Sequence, residues 1–231
     1  MADADQQVGD LGIAVANHSS QHHARYLNET TTKGRFVLIW IGYLRLSVSR
    51  GWADRLLDAA QGTIIEAAGC LSLGLARSAV FSIRAHMELL MAWIYYNDHP
   101  VEWAKFEKSG RDYLLYSAIL SYLRNNDEKF QNRFRLLITT KTRTTEDPYG
   151  VLSIHVHSVS ASSGPSIAPL SSLVYRATVC DEVISLWQDV AEYLTDILCS
   201  WYGDRWYDFP LEIRKHVEGR LTASHLAEFC R

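Results

Sequence analysis

The chain has 231 residues, 48% of them hydrophobic and 11% aromatic, enough for a sizeable core, and this excludes a wholly disordered protein. Its 23 basic and 26 acidic residues give a formal charge of −3, with no global basic excess of the kind that coats duplex nucleic acid. Four cysteines, Cys70, Cys180, Cys199 and Cys230, form no C-x-x-C pair and read as reduced, mostly core-filling thiols.

Residues 1–34 read as a polar, helical N-terminal extension. The opening MADADQQVGD is acidic and lacks the positive start and apolar stretch of a secretory signal, so the expected residence is cytoplasmic. The apolar run FVLIWIGYL, Phe36 to Leu44, ends at Arg45, well short of the roughly 20 apolar residues a spanning helix needs. It predicts a buried helix and no membrane partner. From Arg35 to about Cys70, Val37, Ile41, Leu44, Val48, Trp52, Leu56, Ala60, Ile64, Ala67 and Leu71 recur at helical spacing, predicting one long helix bent near Ser49 to Gly51. Gly74 reads as its stop. A second long helix follows from Leu75 to about Asn97, and Asp98 to Pro100 ends it and starts another.

A break near Ser109 and Gly110 precedes one amphipathic helix to Arg124 and another to roughly Lys141. TRTTEDPYG is turn chemistry. The Ser/Pro-rich tract at 158–172 is read as a loop inside the domain. Leu173 to Trp201 is a strong helix, with two short helices after it at Leu211 to Glu218 and Thr222 to Cys230. No run alternates well enough to demand a sheet. The expected fold is all-α, an antiparallel helical bundle of four or more long helices with short C-terminal helices, forming a single domain over residues 35–231.

Two stretches carry candidate chemistry. RSAVFSIRAHMELL places Arg77, Arg84 and Glu88 on one side of a helix, with Arg84 and Glu88 able to pair at i,i+4. Such a pair fixes helix packing, or else Arg84 faces a cleft that takes a phosphate or carboxylate. YGVLSIHVHS holds Ser153, His155 and His157. In a helix the two histidines point about 200° apart and cannot share an ion; extended, they share a face. No further ligands complete a metal site, and no G-x-S-x-G frame surrounds Ser153. The stretch is either a structural element or, with Arg84, a functional polar centre. His22 and His23 read as a solvated face, and SWYGDRWYDF as aromatic packing between helices. Phosphate-loop and dinucleotide signatures are absent, so no cofactor is expected.

A long helix, then GLARSAVFSIRAHMELLMAWIYY, then the Y-G-x-L-S-x-x-V-H element at Tyr149 to His157 resembles bacterial helical proteins of the HEPN superfamily, including abortive-infection types, over Arg35 to Trp201. Active members of that superfamily are metal-independent ribonucleases, commonly dimers, in which an R-x(4-6)-H motif acts on the scissile phosphate. Arg220 and His225, in RLTASH, satisfy that spacing, although Leu221 stands where a polar residue usually follows. Arg84 with His155 and His157 is the other candidate set. The resemblance implies attack of a ribose 2′-hydroxyl on its adjacent phosphate, a histidine moving the proton and an arginine stabilising charge. Other members are non-catalytic binding modules. The expectation is a homodimer that binds or cleaves RNA in stress or phage defence. The alternatives are a helical adaptor that binds a partner protein, and a small-ligand sensor using Arg84 and Glu88.

Overall fold

The computed structural model describes residues 3–111, 114–157 and 169–231. The protein is all-α, with no strand among the described residues. Its helices are α1 (Ala4–Lys33), α2 (Arg35–Tyr43), α3 (Asp54–Ser72), α4 (Ala76–Tyr96), α5 (Pro100–Ser109), α6 (Tyr116–Asn126), α7 (Glu128–Thr139), α8 (Pro148–His157), α9 (Ala177–Trp201), α10 (Leu211–Glu218) and α11 (Ala223–Phe229). No helix among the described residues is long and apolar enough to cross a membrane.

The helix boundaries follow local chemistry. The single bent helix expected over 35–70 is two helices. After α2, one π-helical turn, Leu44–Val48, leads to Ser49 in an extended conformation, and Gly51 then takes φ 92°. A positive φ stops a helix. Gly74, φ 78°, closes α3 with a paired cap in which its own N–H donates to Leu71 O and that of Leu75 to Cys70 O, satisfying carbonyls the helix end leaves orphaned. Pro100 opens α5, and Gly110, φ 61°, caps it. Helix α9 begins at Ala177 rather than Leu173: Leu170–Leu173 forms a 3-10 turn, Val174 is extended, and Tyr175 N–H donates to Gly74 O at 2.8 Å. That bond draws the chain out of helical geometry. Of the Ser/Pro-rich tract, 158–168 lies outside the described residues.

The chain forms two compact units, one of Met1–Gly34, Gly62–His86 and Thr145–Val190, the other of Arg35–Gln61, Met87–Thr144 and Ala191–Arg231. In the first, Trp187 is buried and donates from Nε1 to Thr30 O at 2.9 Å. Gly34 lies so close that a Cβ there would meet the indole at 2.5 Å. Tyr26, also buried, donates to Ala177 O at 3.0 Å. In the second, Trp40, Leu57, Leu90, Leu194 and Ile197 are among the buried side chains, and Trp40 meets Phe209 edge to face at 4.8 Å. Large aromatic rings contribute the most buried area per residue, and Trp N–H groups reach carbonyls when enclosed.

Candidate functional site

The densest polar cluster lies inside the second unit. Glu192 and Asp196 stand four apart on α9 and are buried beside Leu194, Ile197 and Leu198. Two arginines reach them from distant parts of the chain. Arg143, in the segment after α7, donates from Nη1 to Asp196 Oδ2 at 2.7 Å and to Glu192 Oε1 at 3.4 Å, and its guanidinium sits 5.1 Å over the Tyr193 ring. Arg220, in the turn after α10, donates from Nη1 to Asp196 Oδ1 at 2.6 Å and from Nη2 to Asp196 Oδ2 at 3.2 Å. Glu192 also accepts from Thr142 N–H at 2.8 Å and Thr142 Oγ1 at 2.5 Å. The side chains of Arg143 and Asp196 are each only 1% exposed. Two cations and two anions therefore compensate one another where water is excluded, as buried charge requires.

The remaining donors of Arg220 are also spent inside the protein. Nε reaches Thr140 O at 3.3 Å, Nη2 reaches Leu137 O at 2.7 Å, and Nη1 lies 3.4 Å from His216 Nε2. Every N–H of that guanidinium has an internal acceptor, which leaves none for a phosphate. Burial lowers the Arg220 pKa, but Asp196 and Glu192 outweigh it and the net shift is upward. His216 moves the other way: burial, then Arg220, hold it below the ordinary histidine value, with Asp196 and Glu192 opposing. A neutral imidazole with Nε2 as acceptor fits its place beside Arg220.

No protein family, curated protein or solved structure matches this chain.

The residues singled out from the sequence are distributed over both units. Arg220 belongs to the buried cluster, and the histidine at its side is His216. His225 lies on α11, its backbone N–H held by the Thr222 hydroxyl at 3.3 Å, its Nδ1 buried without a hydrogen-bond partner among the described residues. Arg84, in the first unit, donates from Nη2 to Tyr149 OH at 3.2 Å and lies 5.2 Å over that ring. Arg77 lies 5.4 Å over Phe81. Glu88, one turn after Arg84 on α4, is half-buried. Ser153 Oγ is enclosed in α8 without a partner among the described residues, and His155 is exposed. Helix α8 continues through His157, the conformation in which positions two apart do not share a face; the side chain of His157 lies outside the described residues. Among the described residues no group of three or more His, Cys, Asp or Glu side chains could hold a metal.

Arg143, Glu192, Asp196 and His216 stand outside both candidate sets named from the sequence. The sequence carries two signals for three of them: a Glu and an Asp four apart in α9, and His216 four before Arg220. His18 and His22 form a third i,i+4 pair. His18 is buried, donates from Nε2 to Leu71 O at 3.1 Å, and packs 4.9 Å from His22 and 5.9 Å from Tyr26. His22 is half-buried, so only His23 of the pair read as solvated is exposed. In SWYGDRWYDF, Trp206 is buried against Phe209 and Phe229, whereas Tyr207 is 80% exposed.

Proposed function

We propose that this chain is a non-catalytic, HEPN-like helical module that works by holding a partner protein, and that its charged centre is a structural clasp. The observation that carries this reading is the saturation of Arg220 by Asp196, Leu137 O, Thr140 O and His216. A guanidinium stabilises a scissile phosphate only with donors free to meet it. Here the donors tie α10 and the segment after α7 to α9 instead. The HEPN resemblance carries the stress or phage-defence setting and the homodimer, which sedimentation equilibrium tests directly.

The test is incubation of the purified chain with a mixed RNA pool in EDTA, comparing wild type with Arg220→Lys and His225→Ala. The expected result is no cleavage by any of the three. Cleavage by wild type that is lost in His225→Ala at unchanged thermal stability would overturn the proposal in favour of a metal-independent ribonuclease. One observation favours that second reading: Nδ1 of His225, five residues after Arg220, is without a hydrogen-bond partner among the described residues.

A further inference from the structure

At the C-terminal end of α4, within the second unit, the Tyr95 and His99 rings stack with centroids 3.9 Å apart and planes 3° from parallel. Tyr122 of α6 stands nearly perpendicular to both, 5.1 Å from each at 83° and 80°. Trp201, the last residue of α9, lies 6.0 Å from Tyr122. All four rings are half-buried, so the cluster keeps aromatic surface in two nearly perpendicular planes. His99 Nδ1 donates to Tyr95 O at 2.7 Å, which fixes the tautomer and orients the ring.

The charges that act on Tyr95 and Tyr122 are acidic, Glu102 on the first and Asp98 on the second, the latter paired with Arg50 at 3.4 Å. Asp98 follows the end of α4, and Glu102 is exposed in the first turn of α5. The carbonyl end of a helix of this length carries partial negative charge, and aromatic faces are negative by their quadrupole. Each of these features attracts cations. Elsewhere in the same unit an arginine of the chain itself takes up such a face: Arg124 lies 6.0 Å over Phe134 and Arg143 lies 5.1 Å over Tyr193. Among the described residues no arginine or lysine lies over Tyr95, His99, Tyr122 or Trp201. Arg50 reaches the edge of the region, 3.4 Å from Asp98, but stacks over Trp52.

We propose that this surface binds an organic cation, a guanidinium or ammonium group, against Tyr95, Tyr122 and Trp201 with Glu102 as its counter-charge. The proposal rests on the reading of the chain as a binding module and names the chemistry its partner presents. An RNA backbone is the wrong ligand here, because its phosphates would meet Asp98 and Glu102.

The full chain is titrated with a fluorescein-labelled nona-arginine peptide and a nona-serine control, read by fluorescence anisotropy. Tetramethylammonium chloride is then added as competitor. Wild type is expected to bind the arginine peptide alone. Tyr122→Phe keeps the ring and the affinity, Tyr122→Leu loses roughly three- to tenfold, and Glu102→Gln weakens binding in the same direction. Asp58→Asn, at an exposed acid outside the cluster, changes nothing. Displacement by tetramethylammonium makes a free ammonium compound a sufficient ligand; persistence of the peptide complex makes the ligand a guanidinium borne by a polypeptide. Either supports the site. Equal binding by Tyr122→Leu and wild type, or binding of an oligouridylate in place of the peptide, overturns it. Should Tyr122→Leu fail to fold, Glu102→Gln decides, since its side chain stands in solvent. RNA cleavage in EDTA would sink the non-catalytic reading and leave this surface standing, whereas absent peptide binding with absent cleavage sinks this surface alone.

Discussion

Replacing Asp196 with Asn tests the clasp at its centre. The carboxylate is 1% exposed and accepts from Arg143 at 2.7 Å and from Arg220 at 2.6 and 3.2 Å. The amide keeps the shape, removes the charge, and turns one acceptor into a donor facing guanidinium N–H groups. Two buried arginines are then left with Glu192 alone. Removing one partner from a buried ion pair costs about 3–5 kcal/mol, because the uncompensated charge stays desolvated. For a chain of this length each kcal/mol is about 2–4 °C in Tm, so the expected fall is roughly 6–20 °C. Asp58→Asn is the control: its pair with Arg45 is 61% and 40% exposed, and such pairs contribute about 0–1 kcal/mol. Calorimetry and urea unfolding read both variants. Adding Arg143→Met to Asp196→Asn restores the charge balance, so the double variant should be more stable than the sum of the two single losses predicts. An Asp196→Asn protein within about 1 kcal/mol of wild type, the range of exposed pairs, would refute the claim that these four side chains form one compensated unit.

Three further outcomes follow from the same geometry. His216 has a folded pKa below 6.5, so as pH falls through that value the unfolded chain takes up a proton that the folded one refuses. Stability therefore declines below about pH 6.5 and stops declining once pH passes the folded value; His216→Gln flattens part of that slope in urea titrations at stepped pH. Gly74→Ala forces a Cβ to 2.6 Å from Val174 and 3.1 Å from His18 at φ 78°, and thermal unfolding should show a loss above about 1 kcal/mol. Cys199 is fully enclosed, and burial raises its thiol pKa well above 9.0; burial likewise pushes Cys180 up to about 11. Neither should react with a thiol reagent in the native protein at neutral pH, and both should label after unfolding.

Helix identity was legible because it depends on neighbours in sequence. Apolar positions at helical spacing located α4, α10 and α11 closely, and Gly74, Pro100 and Gly110 marked ends through their own backbone preferences. The errors arose where a distant part of the chain decides. Leu173 fits the apolar register of α9, yet Tyr175 bonds to Gly74 O, a residue about a hundred positions earlier. The run from Arg35 to Cys70 has unbroken periodicity, but Ser49 accepts from Gly51 N–H and donates to Asp54, a local side-chain network that competes with helical bonding.

The charged centre was half legible, and the reason is geometric. The spacing R-x(4-6)-H selected Arg220, a residue with polar work to do, and pointed from it to His225; the imidazole 3.4 Å from its guanidinium is that of His216. Residues four apart on a helix share a face, and His216 stands four before Arg220 across the end of α10. His225 stands five after it, beyond the Thr222 cap that starts α11, so the chain changes direction between them. The acceptors of Arg220 come from Leu137, Thr140 and Asp196, none within a helical turn of it in sequence. Whether an arginine is a catalytic donor or a structural one depends on how many of its N–H groups remain after folding. Spacing within one segment does not contain that count; the acceptors brought by the other segments set it, and for Arg220 they leave none.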